Sequence, residues 1–307
     1  MSKPTIAISI GDLNGVGIEI ALKAHQEITK ICSPLYCINA TLLEQASKLL
    51  NTQIPSDFTL YDVEGDFTIV PGKIDAQSGR YSYNSFINAI KLCEIDKAQA
   101  VVTMPIHKEA WMMAGLDYKG HTDLLRQHFD AEAIMMLGCP EMYVALVTEH
   151  IPLKDVTKVV KYKMLKSFLL DFAKNIKQEK VAVLGINPHA GDNGVLGDED
   201  MRVTKAIKSA NKHLGFEQFV GPIVPDVAFT PHFRQNFRYF VAMYHDQGLG
   251  PLKALHFDES VNISLNLPIV RTSVDHGTAF DIAYKNRVKT LSYKNAIRSA
   301  LELIKNI

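Results

Sequence analysis

The chain has 307 residues, and its 33 lysines and arginines balance 33 aspartates and glutamates. A formal charge of zero argues against a broad electrostatic surface for DNA, RNA or an anionic membrane, but it leaves room for a local basic pocket that binds a small anion. Apolar residues make up 47% of the chain, which is enough to bury a core and argues against long disordered regions. We therefore expect a globular protein of one large or two medium domains.

Cysteine usage and the N-terminal segment predict the cellular compartment. Cys32, Cys37, Cys93 and Cys139 form no C-x-x-C pair, which is typical of reduced thiols in an intracellular protein. The apolar stretch near the N-terminus is short and is interrupted by Asp12. Because no run approaches the roughly 20 apolar residues that span a bilayer, we expect a cytoplasmic protein.

Short apolar runs alternate with helical patterns along the chain, which is typical of an α/β fold. The predicted strands are, in chain order, Thr5–Ile10, Leu35–Ala40, Ala98–Met104, Tyr143–Thr148, Lys180–Ile186, Tyr239–Tyr244 and, as the last clear strand, Ser260–Leu265. The predicted helices are Glu19–Gln26, Thr41–Leu50, Leu124–Phe129 and Tyr293–Lys305. No polar linker marks a domain boundary, which favours domains that share elements.

Three histidines, His150, His189 and His245, each lie just past the carboxyl end of a predicted strand. In open α/β sheets, ligands bind in the crevice outside these strand ends. Three imidazoles that meet there form a site for Zn²⁺ or a similar divalent ion, with an open position for a substrate. Their wide spacing is no local metal signature, so the alternative that each is an ordinary loop histidine stays open.

Residues beside two of these histidines bear on the same hypothesis. His189 lies in a segment rich in turn formers, where Gly191 and Gly194 permit close approach of the backbone to a ligand. Asp246 follows His245, and its carboxylate is suited to orienting an imidazole or accepting a proton. The alternative role of Asp246 is a helix N-cap.

Basic and polar side chains form a second candidate group. Lys253, Asn262 and Arg271 are suited to holding a phosphate or a carboxylate. The turn Gly11–Gly17 joins a strand to a helix, as phosphate-binding turns do. It matches neither G-x-G-x-x-G nor a P-loop, however, and a tight β–α connection explains it equally well.

The segment Gly120–Asp123 precedes a predicted helix and has two possible roles. His121 and Thr122 either direct polar atoms at a substrate, or Thr122 or Asp123 caps the helix. Spacing alone leaves both interpretations open.

Eight segments in a fixed order span nearly the whole chain. They are IAISIGDLNGVGIEI (6–20), MPIHK (104–108), GHTDLL (120–125), EHIPL (149–153), GINPHAGDNGVLGDED (185–200), GPIVPD (221–226), MYHDQGLGPLK (243–253) and LPIVRTSVDHGTAFDIA (267–283). Together they resemble the 4-hydroxythreonine-4-phosphate dehydrogenases of vitamin B6 biosynthesis. Each segment alone is modest evidence, but their order and spacing are highly specific.

The resemblance implies oxidation of the 3-hydroxyl of 4-phosphooxy-L-threonine with NAD or NADP. The resulting β-keto acid loses CO₂ and gives 3-amino-2-oxopropyl phosphate. A divalent metal (Zn²⁺, Co²⁺, Mg²⁺ or Mn²⁺) would polarise the substrate hydroxyl, and imidazole ligands favour Zn²⁺ or Co²⁺. The sequence shows no clear determinant for the adenosine ribose, so the choice between NAD and NADP stays open.

The resemblance also implies an architecture. The family has two α/β/α domains with a cleft between them, similar to isocitrate and isopropylmalate dehydrogenases and unlike the Rossmann fold. We place the first domain at residues 1–125 plus 262–307 and the second at 126–261. The family is homodimeric, with active sites built from both chains.

Site residues follow from matching the family's motifs position by position. The metal ligands fall on His150, His189 and His245, the same histidines that position alone singles out. The substrate residues fall on His121, Thr122, Lys253, Asn262 and Arg271. Asp246 is the candidate for proton transfer or for orienting a ligand, and His121 is the alternative base.

The chain departs from the family pattern at three positions. Family members commonly have GDPAGIGPE where this chain has Leu13 and Asn14 after Gly11-Asp12, and a glycine where it has Asn266. The first two changes put local ligand contacts in doubt. Asn266 is compatible with the positive φ that a glycine would adopt.

Three other functions compete with this interpretation. One is a related dehydrogenase for another phosphorylated hydroxy acid, such as 4-phospho-erythronate or a threonate phosphate. The second is an acyl transferase of similar architecture, which does not need three histidines. The third is a metabolite- or metal-binding protein without turnover.

Overall fold

A computed structural model describes residues 3–305 of the chain. These residues divide into two compact units. The first runs up to Ala131 and includes Val261–Ile263 and the chain from Leu267 onward. The second comprises Glu132–Ser260 and Ser264–Asn266. The domain boundaries expected at residues 125 and 261 stay predictions.

The elements are numbered in chain order. The strands are β1 (Thr5–Ser9), β2 (Ser33–Cys37), β3 (Leu60–Tyr61), β4 (Ala100–Thr103), β5 (Ile134–Cys139), β6 (Met142–Leu146), β7 (Val181–Leu184), β8 (Phe219–Ile223), β9 (Tyr239–Ala242), β10 (Val261–Leu265) and β11 (Val270–Val274). The helices are α1 (Gly17–Ile28), α2 (Ala40–Leu50), α3 (Ala76–Glu94), α4 (Lys108–Met113), α5 (His121–Phe129), α6 (Leu153–Val159), α7 (Tyr162–Asn175), α8 (Glu199–Leu214), α9 (Pro225–Ala228), α10 (Pro231–Arg234), α11 (His245–His256) and α12 (Leu291–Ile304).

The first unit is built on the parallel strands β3, β2, β1, β4 and β11, in that order. The four residues of β4 are all buried, as are the last four of β1. A parallel strand buried on both faces is apolar throughout rather than alternating, which is why these runs were recognisable in the sequence. Helix α3 packs against β1, β2 and β4, and α12 packs against β4 and β11.

The second unit has the strand order β5, β6, β9, β7, β8. Strand β5 is antiparallel to β6, whereas β6, β9, β7 and β8 run parallel to one another. Its core includes Val144, Phe240 and Leu252, each fully buried. Helix α11 begins just after β9 and packs on β5, β6 and β9.

The expected α/β class is confirmed, and all seven predicted strands exist. The strand expected at Leu35–Ala40 begins earlier, at Ser33. The expectation that Ser260–Leu265 is the last strand is wrong, because β11 follows it across only four residues. Arg271 therefore lies inside a buried parallel strand rather than in a loop.

The residues that depart from the family pattern have structural roles. The Asn14 side chain accepts a hydrogen bond from the Val70 amide (2.9 Å) and donates one to the Lys73 carbonyl (2.9 Å). It therefore fixes the segment 70–73 against the turn after β1. Asn266 has a φ of +59°, the positive φ with which asparagine is compatible.

Across residues 3–305, none of the helices combines the length and the apolar character needed to cross a membrane.

Candidate active site

The structure places the three predicted metal ligands after three neighbouring parallel strands of the second unit. His150 follows β6, His245 follows β9 and His189 follows β7, and β9 lies between β6 and β7. Because parallel strands end at the same edge of a sheet, all three histidines belong to the carboxyl edge. We call His150, His189 and His245 the histidine edge.

Two members of the histidine edge lie close together. The ring centroids of His150 and His245 are 5.6 Å apart, with their planes tilted by 43°. The Nδ1 atom of His245 lies 2.6 Å from Oδ1 of Asp246. Such a carboxylate partner fixes the orientation of the ring and leaves Nε2 as the nitrogen that faces a metal.

The third histidine lies on an unusual segment of backbone. His189, Ala190, Asp192 and Asn193 have φ values of 52°, 51°, 42° and 54°, and Gly191 between them has a φ of 80°. The left-handed conformation costs roughly 1–2 kcal/mol for each residue other than glycine. A run of strained residues persists only where the surroundings hold it, and such runs concentrate at functional sites.

The N-terminus of α8 holds this segment in place. The carboxylate of Asp200 accepts hydrogen bonds from the amides of Ile186 (2.7 Å) and Asn187 (3.0 Å). The Asn187 side chain in turn donates to Glu199 at 2.8 Å. The charged start of α8 thus anchors the backbone that leads to His189.

Two residues that sequence reasoning missed tie the ends of the three strands together. The buried Gln247 side chain accepts from the Met243 amide (2.7 Å) and donates to the Gly185 carbonyl (2.6 Å). The Thr148 hydroxyl donates a hydrogen bond to the Met243 carbonyl at 2.7 Å. Gln247 and Thr148 therefore position the loops that carry the histidine edge. The sequence signal was a glutamine within a turn motif directly after a buried strand.

The donor set of the histidine edge fits a divalent ion by its chemistry. Neutral imidazoles bind Zn²⁺ and Co²⁺ well, and Asp246 supplies the partner that a metal-binding histidine usually has. Within residues 3–305, however, the group that brings three ligand atoms within 4.8 Å of one another is Cys139, His256 and Glu259, not the histidine edge. Joint binding of a metal by His150, His189 and His245 stays a prediction.

Lys253 and Asp246 both lie on α11. The Lys253 ammonium is 5.4 Å from the centre of the Phe257 ring. Asp246 is in the first turn of the helix and Tyr244 is the N-cap residue, so the N-cap alternative for Asp246 is wrong.

The first unit contains the other predicted substrate residues. Arg271 is almost completely buried and donates a hydrogen bond from Nη2 to Oγ1 of Thr103 at 2.7 Å. Burial lowers the pKa of Arg271 to about 9. The buried cation is suited to binding an anionic group that would otherwise be hydrated.

His121 and Thr122 lie in the first turn of α5 in the same unit. Gly120 is the N-cap residue and no side chain caps the helix, so the alternative in which Thr122 or Asp123 is the cap is wrong. The His121 ring lies edge-on to Phe86, with centroids 4.7 Å apart. Burial, and then the positive charges of Arg271 and Lys108, hold the pKa of His121 well below its ordinary value, so the imidazole is neutral.

Among the predicted substrate residues, His121 and Asn262 each carry a buried polar atom that has no hydrogen-bond partner in the described part of the chain. These atoms are Nε2 of His121 and Oδ1 of Asn262. A buried polar atom without a partner costs about 1–3 kcal/mol. A ligand with complementary donors and acceptors would recover this cost.

Comparisons with known proteins give the family. The family model for the pyridoxal phosphate biosynthetic protein PdxA matches residues 30–300, and the chain belongs to this family. It is 70% identical over 303 residues to the 4-hydroxythreonine-4-phosphate dehydrogenase of Sulfurimonas denitrificans, covering 99% of each chain. It is 55% identical over 304 residues to the enzyme of that name from Campylobacter fetus, again covering 99% of each.

A solved structure agrees with this placement. The crystal structure of 4-hydroxythreonine-4-phosphate dehydrogenase from Klebsiella pneumoniae superimposes with a TM-score of 0.85 at 30% identity. The match covers 98% of this chain and 100% of that one. The family resemblance expected from the eight sequence segments is confirmed.

Proposed function

We propose that the chain is a metal-dependent 4-hydroxythreonine-4-phosphate dehydrogenase that uses NAD or NADP in pyridoxal phosphate biosynthesis. The observation that carries the proposal is the position of His150, His189 and His245 after the adjacent parallel strands β6, β7 and β9. Membership of the PdxA family supports the oxidoreductase class. The alternative substrates, erythronate and threonate phosphates, are not favoured.

The histidine edge would hold the metal, which is Zn²⁺, Co²⁺, Mg²⁺ or Mn²⁺. A divalent ion on three neutral imidazoles keeps its full positive charge and lowers the pKa of a coordinated hydroxyl. Asp246 fixes the ring of His245 through the 2.6 Å contact. We therefore assign Asp246 an orienting role.

Three residues would bind the anionic groups of the substrate. The Arg271 guanidinium donates a hydrogen bond to Thr103 at 2.7 Å. A planar guanidinium can form two parallel hydrogen bonds to a phosphate or a carboxylate. Lys253 supplies a second positive charge. Asn262 offers the amide oxygen Oδ1, which accepts a hydrogen bond from the substrate.

The oxidation needs a proton acceptor at the substrate hydroxyl. His121 is suited to this role, because its neutral ring carries one acceptor nitrogen and Nε2 has no hydrogen-bond partner within residues 3–305. His121 would accept the hydroxyl proton, and NAD(P), when bound, would supply the acceptor for the hydride from the carbon that bears this hydroxyl. The bond to the carboxylate then breaks, CO₂ leaves, and the electron pair remains on the product carbon until that carbon takes up a proton.

The environment and assembly of the enzyme belong to the same proposal. All four cysteines are free thiols, which supports a reducing compartment such as the cytoplasm. We also propose the homodimer that the family resemblance implies. Light scattering on the purified protein tests the dimer, and a single-chain mass would contradict it.

The function is tested by incubating the purified protein with NAD or NADP and 4-phosphooxy-L-threonine and following the reduced nucleotide. We expect turnover that stops with a chelator and returns with added metal. Parallel assays use 4-phospho-erythronate and threonate phosphate. Faster turnover of either would contradict the substrate, and full turnover in metal-free protein would contradict the metal.

A His189→Ala variant tests the metal assignment directly. We expect it to bind less metal in elemental analysis and to lose most of its activity. His213→Ala is the matched control, because His213 is an exposed histidine near the end of α8. Equal loss in both variants would contradict a specific role for His189.

A further inference from the structure

The second unit contains another cluster of metal-ligating side chains. One ligand atom from each of Cys139, His256 and Glu259 lies within 4.8 Å of the other two. Cys139 is the last residue of β5 and is fully buried. His256 is the last residue of α11, and Glu259 lies three residues beyond it. We propose that these three residues form a second site for a divalent transition metal ion such as Zn²⁺.

The state of the His256 ring supports this proposal. Its Nδ1 lies 3.0 Å from Oε2 of Glu259. An imidazole nitrogen and a carboxylate oxygen at this distance are about as far apart as two ligands of one ion. The His256 backbone is also held, because its carbonyl accepts from the Ser260 hydroxyl at 2.7 Å.

The ligand types and their spacing suit Zn²⁺ or Co²⁺. Thiolate, imidazole and carboxylate are the ligands that Zn²⁺ takes in proteins, at about 2.0–2.3 Å from the ion. Ligand atoms around a tetrahedral ion of that size are roughly 3.5 Å apart. Side-chain shifts of about 1 Å therefore close the present cluster on an ion, and water fills the fourth position. On binding, the Cys139 thiol releases its proton to solvent as the sulfur–metal bond forms.

The cluster is separate from the histidine edge. Strand β5 is antiparallel to β6, and Cys139 pairs with Met142 at the start of β6. His150 follows the opposite end of β6. Helix α11 has His245 at its first position and His256 at its twelfth, which places their backbones about 16 Å apart along the helix. The same ion therefore cannot use both groups.

A metal at Cys139, His256 and Glu259 would stabilise the second unit. It would tie the end of α11 to the β5–β6 hairpin. Because α11 also begins with His245 and Asp246, the ion would fix the helix that presents the histidine edge. The expected role is structural and does not require a substrate.

Cobalt binding to chelator-treated, full-length protein tests the proposal. Co²⁺ bound to a thiolate gives a sulfur-to-metal charge-transfer band in the near ultraviolet, whereas Co²⁺ on histidines alone does not. We expect the band in the wild type, in Cys32→Ser and in His189→Ala, but not in Cys139→Ser. Cys32 is the matched control because it is a buried thiol of the first unit. His256→Gln should weaken the affinity reported by the band by at least about tenfold.

A second measurement on unmodified protein avoids any folding defect of the variants. X-ray absorption of the zinc-loaded wild type should show a sulfur neighbour at about 2.3 Å. The histidine edge has no sulfur, so this signal does not depend on the proposed function, and its loss in Cys139→Ser assigns it to Cys139. Absence of sulfur from the zinc shell, or a band that persists in Cys139→Ser, would overturn the proposal.

Discussion

The carboxylate of Asp246 lies 2.6 Å from Nδ1 of His245, the residue directly before it in the chain. Both residues belong to the first turn of α11, directly after the buried strand β9. The contact joins a candidate metal ligand to a carboxylate that is itself largely exposed. An exposed carboxylate engaged with an imidazole is better suited to orienting that ring than to acting alone as a base.

Substitution of Asp246 separates these two roles. We expect Asp246→Ala to weaken metal binding about 10- to 100-fold, because the ring of His245 loses the partner that orients it. Asp246→Asn retains an oxygen that accepts from Nδ1–H and should recover part of this loss. Metal affinity is measured by competition with a chelator, beside kcat and KM, and Asp66→Asn serves as an exposed control. Full metal affinity with abolished turnover in Asp246→Asn would instead identify a base.

Arg271→Lys is expected to raise KM for the phosphorylated substrate. A lysine keeps the charge but cannot bond to Thr103 and present a planar fork at the same time. Charge-assisted hydrogen bonds contribute about 1.5–3 kcal/mol, so KM should rise roughly 10- to 100-fold. Arg287→Lys, at an exposed position of the same unit, should leave KM unchanged. An unchanged KM in Arg271→Lys would show that the buried guanidinium does not bind substrate.

His121 should make the stability of the protein depend on pH. Its pKa in the folded state lies well below the value of 6.5 expected in the unfolded chain, chiefly because the ring is buried. Between these two values the unfolded chain binds more protons than the folded one. The free energy of unfolding therefore rises with pH until the pH exceeds the unfolded-state pKa of 6.5, and it falls as the solution becomes more acidic. The contribution is at most about 1.4 kcal/mol per pH unit.

His121→Gln removes this titration. Chemical unfolding at about pH 7 and about pH 5 should show a smaller loss of stability in the variant than in the wild type. The exposed His213→Gln serves as the control and should follow the wild type. A His121→Gln variant with the same pH dependence as the wild type would contradict a buried, neutral imidazole.

Two glycines of α11 should respond differently to substitution by alanine. A Cβ at Gly248 would lie 2.4 Å from Cγ1 of Val144 and 2.8 Å from Cβ of Ala242, whereas a Cβ at Gly250 meets nothing within 4 Å. Gly248→Ala should therefore destabilise the protein by about 1–3 kcal/mol. Gly250→Ala should change the stability less, because the helix preference of alanine, about 0.5–1 kcal/mol, is opposed by the clash of the new Cβ with the ring of Pro251. Thermal unfolding measures both, and a stabilised Gly248→Ala would contradict the close packing of α11 on β6 and β9.

Much of the fold was predictable because its strands are buried on both faces. Runs such as Thr5–Ser9 and Tyr239–Ala242 are largely apolar and end at recognisable turns. Strand β11 was not predicted, because three of its five residues, Arg271, Thr272 and Ser273, are polar. Their burial depends on partners distant in sequence, such as Thr103 and the Ala296 carbonyl. Local patterns do not report such contacts.

The sequence by itself determined the balance of charge, the α/β class, the family and the position of His150, His189 and His245 at strand ends. Those properties depend on residue type and order, which short-range periodicity and motif spacing preserve. Only the tertiary structure decided that β9 lies between β6 and β7, that Gln247 and Thr148 join their ends, and that Cys139 meets His256 and Glu259. Strand order and contacts between residues distant in sequence arise from how the chain packs its core, and neighbouring residues carry no record of that packing.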